Sequence, residues 1–157
     1  MNAYRVKPMR FPWTPLVYVL AVLLALGLDR VDPLHIEGGW RLPFEVTGAM
    51  VMAAGLWLVV WGYAKLIRHR TALLSSSPTT HLVTTGPYRF TRNPVYLGYT
   101  MIMLGAGLYI GNIWMAIIAA LTAALTHAWI IRSEEKHLLA RFGFEFECYC
   151  RRTRTWI

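Results

Sequence analysis

Four apolar runs, residues 11–28, 44–67, 94–111 and 112–131, decide the solvent in which this chain folds. A helix needs roughly 20 apolar residues to cross the hydrocarbon core of a bilayer, and each run is near that length. Inside lipid a segment must satisfy its own backbone polar groups, so such runs are expected to be helices. The sequence predicts an all-α integral membrane protein with four transmembrane helices and amphipathic helices at its C-terminal end. Residues 1–157 form a single membrane domain by length. Hydrophobic residues make up 56% of the chain and the mean hydropathy is +0.41, above the roughly 45–50% apolar content of soluble domains. The first run comes after Arg5, Lys7 and Arg10, as a signal peptide would. It leads into "LDRVDPLHIEGGW" rather than a small-residue cleavage site, so it reads as a retained helix.

The net charge of +8 raises the question of nucleic acid until it is mapped onto the connections. Residues 1–12 carry +3, residues 65–93 carry +5, residues 132–157 carry +2 and residues 29–45 carry −2, which together make +8. These signs alternate as four crossings with both termini inside require. The charge is then topological, with anionic lipid headgroups as a secondary contact. No basic patch remains for nucleic acid. Cys148 and Cys150 fall on the expected cytoplasmic side, where thiols stay reduced, and their spacing lacks the CxxC of a zinc or redox site. No metal site is expected.

Most of the polar chemistry lies between the second and third runs, in "HLVTTGPYRFTRNPVYLG" at residues 81–98. Gly86-Pro87 forces a turn, Asn93 is biased away from helix by the proline after it, and Pro94 suits a first helical turn. Backbone N–H groups at that helix start, near Arg89 and Arg92, favour anionic groups. Tyr88 and Tyr96 offer flat faces to a heterocycle. The same residues also describe a capped helix start with interfacial anchors. Past the fourth run, "RSEEKHLLARFG" continues as a charged amphipathic helix stopped by Gly143. Glu134 and Glu135 sit just beyond the apolar stretch, where an unpaired carboxylate is costly and marks either function or a solvated helix face. His127 precedes Glu134 by seven residues, which on a regular helix places both on one face. It lines a cavity there or is bonded within the bundle. The "LGAGLYIG" segment fails as a dinucleotide loop, since no strand precedes it, and its glycines fit close helix packing.

Taken together, "HLVTTGPYRFTRNPVYLG", a hairpin of two apolar helices and "EEKHLLARFGFEFECY" resemble the isoprenylcysteine carboxyl methyltransferase superfamily. That group of integral membrane enzymes includes the phospholipid methyltransferases. The resemblance covers residues 80–157. It implies an S-adenosylmethionine-dependent methyltransferase, with S-adenosylhomocysteine as product and a lipophilic or small apolar acceptor delivered by the bilayer. The cofactor elements would be residues 80–98 and 132–157, forming a pocket on the cytoplasmic side closed by the C-terminal segment. By family pattern Thr80, His81, Leu82, Val83, Tyr88, Asn93, Pro94, Val95, Tyr96, Glu134 and Glu135 would bind the cofactor. Arg132, His127 and Arg89 are candidates for substrate contact. The Gly105–Gly107 pair matches a GxG element of the phospholipid branch. The chain departs from the isoprenylcysteine pattern at Asn93, where eukaryotic members have His, and at Ile130, where they carry an Arg for the substrate carboxylate. The implied place is a prokaryotic inner membrane with the site facing the cytoplasm. Two other readings remain at this point: an NADPH-dependent membrane reductase of the sterol type, and a non-catalytic membrane subunit.

Overall fold

The computed structural model describes residues 13–36, 38, 41–68 and 82–156. Thr80 and His81 therefore lie outside the described residues. Within that range the chain is helical: α1 (Trp13–Val31), α2 (Arg41–Arg68), a 3₁₀ turn (Gly86–Arg89), α3 (Pro94–Ile110), α4 (Ile113–Leu125), a π-helical turn (Thr126–Ile131), α5 (Arg132–Phe142) and α6 (Phe144–Arg152). No strand occurs among the described residues, only an isolated antiparallel bridge between His35 and Asn112.

Local chemistry sets the ends of these elements. Helix α1 runs three residues past the apolar stretch and ends at Val31, ahead of Pro33. The chain after it is pinned to the α3–α4 connection by Ile36 N–H to Gly111 O at 2.9 Å and Ile113 N–H to Leu34 O at 3.0 Å. Pro94 opens α3, where its missing N–H costs nothing. Gly111 closes it at φ 75°, a left-handed geometry that favours glycine. Asn112 then caps α4 by accepting from Met115 N–H at 3.2 Å. The fourth apolar run continues through the π turn into α5 without a break, because no breaker appears before Gly143, at φ 52°.

Among the described residues, helices α2 and α3 make the most extensive contact. Gly48, Gly55 and Gly62 recur every seven residues on α2, and Gly98 and Gly105 do so on α3. A Cβ on Gly55 would stand 2.7 Å from the Gly98 carbonyl oxygen, and one on Gly105 would stand 2.6 Å from the Met52 nitrogen. Any side chain there would push the backbones apart, so the glycines are what let them touch. Gly105 thus serves helix packing, and Gly107 likewise faces Met115 and Asn112 at the α3–α4 turn.

On the other side of α3, Tyr18, Ala21 and Ala25 of α1 meet Met103 of α3 and Met115, Ile118 and Ala119 of α4 in a buried cluster. Large apolar side chains face outward, among them Leu20, Leu23, Leu24, Trp57, Val60, Leu121 and Trp129. Two helices among the described residues, α2 and the continuous Ile113–Phe142 helix, are long and apolar enough to cross a membrane, and α3 is a shorter apolar helix.

Candidate active site

The site lies where α2 ends, α3 begins and α5 leaves the π turn. Its floor comes from the loop that the sequence singles out. Gly86 adopts φ 68° and leads into the 3₁₀ turn, and a Cβ there would strike the Lys65 side chain at 2.7 Å. That turn buries Pro87 and Tyr88. The Tyr149 hydroxyl of α6 donates to Tyr88 O at 2.6 Å, so the C-terminal helix returns to hold the loop. Val83, Asn93 and Pro94 are buried, Leu82 and Val95 half-buried. Val95 turns toward α2, with its Cγ2 2.9 Å from where a Gly62 Cβ would be.

Glu134 stands at the centre. Its Oε1 accepts from the Tyr96 hydroxyl at 2.7 Å. The residue is exposed to solvent, so its carboxylate opens to water beside these side chains. The Tyr88 and Tyr63 phenols lie within range of its carboxylate, and the Tyr63 hydroxyl pairs with that of Tyr99 at 3.2 Å. Deeper in the bundle, Tyr18 reaches Thr100 at 2.7 Å. Among the described residues Glu134 forms no ion pair. Four tyrosines and the Glu134 carboxylate, which is in no ion pair among the described residues, therefore share this end of the bundle.

Glu135, one residue on, points elsewhere. Its carboxylate lies 2.9 Å from the Arg92 guanidinium. Arg92 also donates to Cys150 O at 3.3 Å and to the Thr155 hydroxyl, while its N–H bonds Arg154 O at 3.0 Å. The Asn93 side-chain amide donates to Thr155 O at 3.0 Å, and the Thr91 hydroxyl donates to the same oxygen at 3.1 Å. Asn93 is thus engaged with the C-terminal tail.

His127 lies in the π turn. The extra residue in such a turn rotates the next stretch of helix by roughly 100°, so the seven-residue spacing to Glu134 does not keep the two on one face. The His127 ring instead lies 6.2 Å from the Trp156 ring, with a buried Nδ1 that has no partner among the described residues. Arg89 and Arg132 are both exposed.

Burial raises the Tyr88 phenol above its ordinary value. It does the same to Tyr149, with Arg92 pulling the other way, and to the Cys150 thiol, again against Arg92. All three stay protonated at neutral pH, so the two phenols keep the hydrogen they donate or present.

The structure brings together Tyr88, Tyr96 and Glu134, with Asn93 and Pro94 at the start of the same helix as Tyr96 and Val83 buried in the loop before it. Sequence reasoning missed Tyr63, Tyr99 and Tyr149, and gave Arg92 no contact with Glu135. For Tyr63 a signal was present: a hydroxyl near the basic end of an apolar helix.

Comparison with known proteins bears on this site. A family model described as phospholipid methyltransferase matches residues 44–145. The nickel-cobalt-cadmium resistance protein NccN of Alcaligenes xylosoxydans xylosoxydans is 32% identical over 141 residues, covering 90% of this chain and 60% of that protein. The cobalt-zinc-cadmium resistance protein CzcN of Cupriavidus metallidurans is 29% identical over 146 residues, covering 90% of this chain and 59% of that protein. The chain thus spans about three-fifths of the length of these curated relatives. No solved structure matches.

Proposed function

Because this chain belongs to the phospholipid methyltransferase family, we propose that it is a membrane enzyme that takes a methyl group from S-adenosylmethionine and places it on a lipophilic or small apolar acceptor. The observation that carries this reading is Glu134, a solvent-exposed acid in no ion pair among the described residues, set beside Tyr63, Tyr88 and Tyr96. Aromatic rings with a carboxylate are the chemistry that recognises an onium cation. The donor set therefore fits a charged sulfur. When bound, S-adenosylmethionine supplies a methyl group on a cationic sulfur and leaves as neutral S-adenosylhomocysteine.

The residues divide the labour. Glu134 attracts the cation, and Tyr96 fixes the orientation of its carboxylate. Val83, Tyr88 and the start of α3 give an apolar and aromatic wall suited to a flat heterocycle. Attraction to a positive charge stabilises the bound ground state more than a transition state in which that charge disperses, so Glu134 is a binding group and not an accelerator. Rate enhancement comes from alignment of donor and acceptor, which is worth up to about 7–11 kcal/mol in favourable cases.

Four crossings, with this end of the bundle on the cytoplasmic side of a prokaryotic inner membrane, complete the proposal. The exposed apolar faces of α1, α2 and α4 support it, as does the alternation of loop charge. A polar cofactor would then enter from water while the acceptor arrives from lipid. The relatives are named for metal resistance. We place any link of that kind in the methylated product, because the site carboxylate sits among phenols and not among thiols or imidazoles.

The test is to incubate membranes containing the protein with methyl-labelled S-adenosylmethionine and extract the lipids and small molecules. A labelled product that disappears with Glu134→Ala supports the proposal. No labelled product from any extract removes it.

A further inference from the structure

The densest polar cluster among the described residues is not around Glu134 but beside it. Arg92 precedes α3, yet its main contacts are with segments more than forty residues away: Glu135 of α5, Cys150 of α6, and Arg154 and Thr155 of the tail. Its neighbours Thr91 and Asn93 bond the same tail, and Thr153 donates to Arg89 O at 3.4 Å. From there the tail runs to Trp156, whose ring lies by His127 in the π turn. It therefore bridges from the loop before α3 to the turn before α5, the two elements that flank Glu134.

We infer that Arg92 and Glu135 are positioning residues, whose ion pair holds the C-terminal tail across the Glu134 site and so sets how long a bound nucleoside ligand stays. This rests on the cofactor reading above. The two adjacent glutamates then have different work: Glu134 faces the ligand, and Glu135 fixes the rotation of α5 and anchors the strap. Arg92 suits the second task because its planar fork can donate to several acceptors at once. Both side chains are largely shielded, at 13% and 27% exposed, so the pair is screened less by salt than a surface one. Breaking it leaves a shielded charge unpaired, a loss that shows mainly in dissociation. A strap that must release before the ligand leaves sets the exchange rate.

The experiment measures binding and release of radiolabelled S-adenosylhomocysteine by the full chain in lipid nanodiscs. Glu135→Gln and Arg92→Gln should each speed release about tenfold. The double variant should be no faster than either single one, and the exchange Arg92→Glu with Glu135→Arg should recover part of the slow release. A merely structural role would lower the unliganded melting temperature without this coupled pattern. Hydrogen exchange on the wild type gives a second readout: ligand should slow exchange of the amides of residues 153–156. Release within twofold of wild type in the single variants, or additive effects, overturns the inference and leaves the cofactor reading standing. So does ligand binding that leaves tail exchange unchanged, even if the variants fail to fold. Absence of ligand binding by the wild type removes the cofactor reading, and this inference with it.

Discussion

The α2–α3 contact and the loop–tail contact are both long-range, yet they are built from opposite materials. In the first, glycines bring two helix backbones together, with Val59, Val95 and Met101 packed directly against them. Nothing there can rearrange without separating the helices. In the second, a guanidinium, two threonine hydroxyls and an asparagine amide join segments through hydrogen bonds, and an ion pair adds the Glu135 carboxylate. Such ties can break one at a time and reform. The scaffold is thus fixed by shape and the site by polar bonds at its edge. A bundle with this division can stay rigid in lipid while one end opens to water.

The sharpest way to break the comparison is Gly55→Val. Its side chain would enter space held by the Gly98 carbonyl and the Met101 Cβ. Overpacking of side chains costs about 1–3 kcal/mol, and contact with backbone should exceed about 3 kcal/mol, with loss of the monodisperse protein on size exclusion. A melting temperature equal to wild type would show that the glycines do not set the contact.

Tyr96→Phe attacks the other region and should spare the fold. It removes a donor to a carboxylate, a bond worth about 1.5–3 kcal/mol, so S-adenosylmethionine affinity should fall at least about tenfold by calorimetry. Tyr63→Phe removes one neutral hydroxyl pair worth about 1 kcal/mol and should cost less. The reverse order would place the ligand nearer Tyr63 than Glu134.

High pH should loosen the polar region first. Tyr88 and Tyr149 hold their protons above the ordinary value of 10.0 in the folded state, while the unfolded chain releases them near that value. Their contribution to stability is whole below about pH 10 and drains away as pH rises through the raised folded values. A thermal melt should be flat between about pH 7 and 9 and fall above about pH 10, with tail amides exchanging first. Stability that rises above about pH 10 would contradict the burial of these phenols. The smallest effect concerns Cys150, whose raised thiol should alkylate a few-fold more slowly than free cysteine at about pH 8. A faster reaction would mean that Arg92 dominates over burial.

The two regions also differ in how far the sequence discloses them. Apolar runs, Pro94, Gly111 and Gly143 mark where helices lie and turn, because each acts locally. The seven-residue spacing of Gly48, Gly55 and Gly62 could have been matched to Gly98 and Gly105, since a repeat on one helix predicts a contact stripe. The π turn at Thr126–Ile131 carries no such mark, and it undoes the phase between His127 and Glu134. Family resemblance named Tyr88, Tyr96 and Glu134, and the structure sets these three near one another. Arg92 with Glu135 was not legible, because the pair depends on where α5 is carried by the turn before it and where the tail returns. Helical spacing states neither.

The central claim is that Glu134 faces a cationic sulfur. Calorimetry on the nanodisc-embedded chain, wild type and Glu134→Gln, with S-adenosylmethionine and S-adenosylhomocysteine in turn, tests it most directly. The account predicts that wild type binds both, and that the substitution weakens the sulfonium ligand at least about tenfold more than the neutral thioether. Equal weakening of the two ligands, or none, would contradict it.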